Sequence, residues 1–217
     1  MYVPAHFREE RPDVLAAAIR DIQLATLVTA GPDGLVASHV PMVLKESESG
    51  LELHSHVARP NGHWRAAGGG QESLAIFQGP QSYITPSWYE SKRRHGKVVP
   101  TWTYIAVHAS GPLAAVNDEE WIARHLDDLT RANEEARPAP WAVTDAPAEF
   151  IANLSRAIVG LVLKVESLEG AWKLNQHRPE DDRIGTIQGL ETAAGPGSPA
   201  VAAAMRERER ERAVGSP

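Results

Sequence analysis

The residues most able to do chemistry stand close together. His54 and His56 lie two apart in GLELHSHV, and Arg59 and Asn61 follow in ARPN. On a strand, residues two apart share a face, so both imidazoles could reach one ion or one proton. His63 or His39 could add a third nitrogen. No carboxylate or cysteine stands at a useful spacing, and HExxH is absent, so a polar face lining a ligand cleft is favoured over a metal centre. Arg59 and Asn61 precede a short helix expected from Gly62. Donors at a strand-to-helix junction suit an anion, phosphate foremost, and the guanidinium fork matches it. An ordinary helix entrance with a surface arginine is the competing reading.

A second candidate is SYITPSWYESKRRHGKVVPTWTY, residues 82–104, which holds five of the thirteen aromatic residues around Lys92, Arg93, Arg94, His95 and Lys97. Rings beside cations could stack bases of a single strand. They could equally hold a planar cofactor ring with a basic turn near its phosphate, or form a rigid arm covered by a second subunit. WKLNQHRPEDDR, residues 172–183, repeats the theme with Lys173, Gln176 and Arg178 ahead of an acidic trio. No Gly-x-Ser-x-Gly, Walker loop or dinucleotide fingerprint occurs. Asp127 and Asp128 read as a solvated helix face.

The elements that must position these residues follow from periodicity. Val14, Leu15, Ile19 and Ile22 mark a first helix. Two strands over 24–45 join at the Asp-Gly turn of residues 31–34, and a third strand, 51–57, follows a turn at Ser47–Gly50. In that third strand Leu51, Leu53, Ser55 and Val57 face one way, and Glu52, His54 and His56 the other. Strands near 73–79 and 103–116, two helices over 117–158 and a late strand or strand pair over 160–176 complete the set. Helices and strands do not alternate regularly, so a doubly wound parallel sheet is excluded. The class is α+β, mainly antiparallel, a small six-stranded barrel carrying helices. Residues 191–217, in which RERERER at 206–212 alternates Arg and Glu, read as a solvated, partly helical tail.

The chain has 217 residues, a formal net charge of −6 and no cysteine. Disulfides and thiolate chemistry are excluded, and any DNA contact requires a local basic patch. No stretch approaches the roughly 20 apolar residues of a membrane helix, and no signal-peptide run opens the chain, so a cytoplasmic location is expected.

MYVPAHF, ASHVPMVL, LHSHVARPNGHW, GPQSYITPSWYESK, GKVVPTWTY, VHASGPL and WKLNQHRPEDDR together resemble the PaiB family of FMN-binding negative transcriptional regulators. The resemblance spans most of residues 1–190. It implies a split barrel of the pyridoxamine-phosphate-oxidase type over 1–190, a homodimer, and FMN held at the subunit interface. Carried over, it places the flavin against Val40 to Val43, Met42 included, and the edge at His54, Ser55 and His56. Arg59 and Asn61 would meet the phosphate, while Trp102, Thr103, Lys173 and Gln176 would approach from other strands. Residues 82–104 would be an aromatic arm closing the cleft and the dimer contact. Three departures stand out: ARPN for ARAN, TWTY for TWNY and KLNQ for KLSQ. Pro60 removes an N–H and Thr103 an amide, which lowers the expected flavin affinity. Repression of transcription is the implied role, with DNA as a partner only through the resemblance. A flavin-dependent oxidoreductase, with His54, His56 or Tyr83 as proton donor, and a haem module using the histidines are the alternatives.

Overall fold

The computed structural model describes residues 1–47 and 50–215. In chain order the elements are β1 (Arg8–Glu9), α1 (Pro12–Ile22), β2 (Leu24–Gly31), β3 (Gly34–Pro41), β4 (Val43–Ser47) and β5 (Gly50–Ala58). Then come α2 (His63–Ala66), β6 (Gln71–Ile84), α3 (Glu90–His95), β7 (Thr101–Val116) and α4 (Glu119–Glu134). The chain closes with α5 (Ala148–Arg156), β8 (Ile158–Lys164), β9 (Ser167–Lys173), α6 (Glu180–Thr192) and α7 (Ser198–Gly215).

Two compact units form. One comprises 15–77 and 108–168, the other 1–14, 78–107 and 169–217. In the first, the strand order is β3-β2-β6-β7-β8-β5-β4, an open antiparallel path. The β2–β3 hairpin closes at Gly31↔Gly34, as the Asp-Gly signal requires, and Gly34 takes a φ of 113° that a β-carbon would resist. Alternating inward residues Leu27, Leu53, Phe77, Leu113, Leu161 and Leu163 are fully buried and make the core.

Among the described residues the sheet has nine strands, not the expected six, and it does not close. Three local causes account for the excess. Pro41 lacks an N–H and ends β3, so the expected single strand splits, and the Met42 amide donates instead to Gln23 O at 2.9 Å. The late strand is a pair, β8 and β9. Arg8 and Glu9 add a short strand against Ala171 and Gly170. Of the turn expected at Ser47–Gly50, residues 48 and 49 lie outside the described residues.

In the second unit the basic turn of 92–97 is mostly helix. α3 carries Lys92 to His95 and stops at Gly96, whose φ of 68° is the usual left-handed close. Its cations are spent locally: Arg93 pairs with Glu90, and Arg94 with Asp181 at 2.5 Å. Tyr89 is buried, and Trp88 fills the space left by Gly185 and Gly189 of α6, so half of the aromatic arm is core. The expected solvated tail contains α7, which buries Val201, Ala202 and Met205. Its alternating charges are partnered: Arg183 with Glu209 at 2.6 Å, Arg11 with Glu211 at 2.9 Å, and Arg208 with Glu9. No helix among the described residues is long and apolar enough to cross a membrane.

Candidate functional site

Strand β5 alternates as the sequence requires. Leu53, Ser55 and Val57 point inward and are buried, Ser55 with no partner for its hydroxyl. The opposite face carries His54 and His56, and α4 lies over it. Asp118 caps that helix by accepting from Trp121 N at 2.6 Å, which sets Trp121, His125 and Asp128 on one side at helical spacing. His56 Nδ1 and His125 Nε2 share a hydrogen bond at 3.0 Å, and His54 Nε2 meets Glu52 at 2.9 Å. Trp121 stacks on His125 with centroids 5.1 Å apart, and Lys45 donates to Asp128 at 2.7 Å. Gly160 of β8 leaves the room that the Trp121 ring occupies. Burial, then the neighbouring His56 and His54, push the His125 pKa down to about 3; burial alone lowers His56. The HxH face is therefore partly covered by α4, and His54 and His125 line a smaller cavity of about 400 Å³ together with Lys45, Trp121 and Asp128.

Past His54 the same strand loses one of its two ladder partners. The β4 ladder ends at Val43↔His54, where Pro41 and Met42 break away. Beyond it, Ser55 to Ala58 pair with β8 alone, and β3 is a terminal strand. Side chains take the place of a ladder here. Asn61 Nδ2 donates to Ser38 Oγ at 3.2 Å, and His63 Nδ1 bonds the same hydroxyl at 3.0 Å. His63 Nε2 bonds Thr29 Oγ1 at 2.9 Å, and Thr29 bonds Ser73 Oγ at 2.7 Å. Asn61 Oδ1 accepts from His63 N at 2.9 Å, which fixes the amide's orientation. His63 is fully buried and its pKa is lowered by that burial, so one ring nitrogen donates and the other accepts. Sequence reasoning missed Ser38, Thr29 and Ser73. Their signal is polarity at inward strand positions, where a hydroxyl needs a partner.

Arg59 and Asn61, expected to share one anion, face different surroundings. The Arg59 guanidinium donates to Arg156 O at 3.0 Å, Ile158 O at 2.9 Å and Asn117 Oδ1 at 3.1 Å. It lines a cavity of about 780 Å³ beside α4 and α5. Val40 and Met42 are buried where β3 gives way to β4.

In the other unit, Trp102 is half exposed and meets Tyr83 edge-on, centroids 6.2 Å apart. Thr103 is buried and donates to Ser82 O at 3.2 Å. Lys173 sits over Tyr104 at 5.6 Å. Gln176 donates to Trp172 O and accepts from Leu174 N, so its amide is spent within its own turn. Asn175 holds a φ of 61°, a conformation asparagine tolerates better than serine, which accounts for the KLNQ departure.

Comparison with known proteins agrees with this architecture. The "Putative FMN-binding domain" model FMN_bind_2 matches residues 1–167. The chain is 28% identical to "Protease synthase and sporulation protein PAI 2" of Bacillus subtilis, covering 96% of this chain and 98% of that one. It is 31% identical to an uncharacterized protein of Aspergillus fumigatus, covering 96% and 97% respectively. Among solved structures, the FAD and heme binding protein from Mycobacterium smegmatis superposes with a TM-score of 0.58 at 16% identity, covering 82% of this chain and 78% of that one. The flavocytochrome Anf3 from Azotobacter vinelandii gives 0.58 at 11% identity, covering 84% and 78%. The PaiB resemblance is borne out, and the fold is that of the flavin-binding split barrels. The chain belongs to the FMN_bind_2 family, and its cofactor is a flavin.

Proposed function

We propose that the protein is a homodimeric FMN-binding regulator whose flavin lies in the opening between β3 and β5. The single observation that carries this reading is the pair of strand edges left without ladder partners and bridged by Ser38, Asn61 and His63. The donor set fits a flavin: amide and hydroxyl groups match its polar edge and ribityl chain, and the edges of 40–42 and 55–56 offer backbone groups. Once bound, a flavin supplies two-electron acceptor chemistry. The chain's own residues bind and orient. His63 holds Asn61 and Ser38, and Val40 and Met42 form the apolar floor. His54 and His56 contribute by keeping β5 flat under α4.

Arg59 stands outside this set, because its guanidinium is engaged toward α4 and α5. In the second unit Trp102 is half exposed, whereas Thr103, Lys173 and Gln176 are engaged within that unit. The regulator role rests on the PaiB resemblance. With a net charge of −6, it is exerted more easily through a partner protein than by direct operator binding. The haem alternative requires an axial nitrogen; His54 Nε2, His56 Nδ1 and His125 Nε2 are engaged in contacts under α4, whereas His125 Nδ1 is buried without a partner.

Titration with FMN, followed by quenching of flavin fluorescence, is the test. About one FMN per chain is expected, with Asn61→Ala weakening it about fivefold to tenfold for loss of one hydrogen bond. A titration without quenching overturns the reading. Sedimentation of the same sample decides the dimer.

A further inference from the structure

The cavity beside Arg59 has features that the flavin opening does not use. About 780 Å³ lies within the range of small-molecule pockets. Ile122 of α4, Val143, and Ile151 of α5 give it an apolar wall. Its charged residues are unusual in this chain. Among the described arginines, all but four have a carboxylate partner. Arg65 and Arg178 lie over Trp64 and Tyr89. The remaining two, Arg59 and Arg156, both line this cavity.

Their donors are only partly used. Of the five N–H groups a guanidinium carries, Arg59 gives three to neutral oxygens, and Arg156 gives its Nε–H to Ala152 O at 3.2 Å. Arg59 Nε donates to the carbonyl of Arg156 itself, which keeps the two residues adjacent. Glu119 is the one carboxylate in the lining, so two guanidinium charges face one negative charge. Uncompensated guanidinium beside apolar surface selects a ligand with an anionic end and an apolar body.

We propose that this cavity is a second ligand site, which binds an aryl or alkyl carboxylate with its charged end at Arg59 and Arg156. The site does not depend on the flavin reading. 1-Naphthoate is the probe, titrated calorimetrically into the full chain, with neutral 1-naphthamide as its uncharged counterpart. Saturable binding of one naphthoate per chain is expected, with naphthamide at least about tenfold weaker, since charge-assisted bonds separate the two. Arg156→Gln should weaken naphthoate about tenfold while leaving FMN affinity and the thermal midpoint unchanged. Ala152→Trp, which fills the cavity from an exposed helix position, should block naphthoate outright. Equal binding of the amide, unchanged binding in both variants, or loss of naphthoate binding under saturating FMN would overturn the proposal. A chain that binds naphthoate but no FMN keeps this site and loses the flavin reading.

Discussion

Two faces of one segment, residues 54–63, show how misleading conspicuous chemistry can be. On one face, His54 and His56 look like a ligand-binding pair, yet α4 covers them and their nitrogens meet Glu52 and His125. On the other, Asn61 and His63 join the unremarkable Ser38, Thr29 and Ser73 in a bonded, largely buried row beside the incomplete ladder. The difference comes from what sits opposite. Gly160 makes space for Trp121 to pack on the first face, whereas Pro41 stops a strand and leaves the second to side-chain bonds in place of a ladder.

The comparison can be broken most forcefully at Gly160. A β-carbon there collides with the Trp121 ring, so Gly160→Leu should cost ~3 kcal/mol by overpacking. Urea unfolding measures this, and FMN affinity should stay within twofold if the two faces are independent. Next in size is His63→Ala. It removes one bond each from the Thr29 and Ser38 hydroxyls, which keep Ser73 and Asn61, and should cost about 2 kcal/mol, again read in urea. Here, unlike at Gly160, FMN binding should weaken as well. An undiminished FMN affinity would detach the row from the cofactor.

A third test sharpens the comparison by pH. His125 is held neutral with a pKa of about 3, below the 6.5 of an unfolded chain. The unfolded state therefore binds more protons between those values, and stability that is full above pH 6.5 declines as pH falls toward 3. His56 acts in the same direction. Thermal midpoints across that range should fall for the natural chain and fall less steeply for His125→Phe; identical slopes would place the titration elsewhere.

Much of the fold was legible because it is local. The 31–34 turn and the alternation of 51–57 each follow from residues within a few positions of one another. The strand count was not, because Pro41 as a strand break and the β8–β9 division depend on which neighbours accept the ladder. At the site, strand period gave the inward and outward sets correctly but could not show that a helix some sixty residues later covers the outward one. The separation of Arg59 from Asn61 was equally hidden, since it is set by the carbonyls of Arg156 and Ile158.

One feature at the chain's end bears on how the molecule can be handled. The Glu9 carboxylate is almost wholly buried, and although burial would push its pKa up, hydrogen bonds from Arg11 and Arg208 hold it at about 2. Arg208 belongs to the stretch that looks, letter by letter, like a dispensable appendage. Trimming at residue 197 would remove that counter-charge and bare the apolar patch beneath it. Shortened versions should therefore clump during purification, and affinity labels belong after the last helix, never in its place.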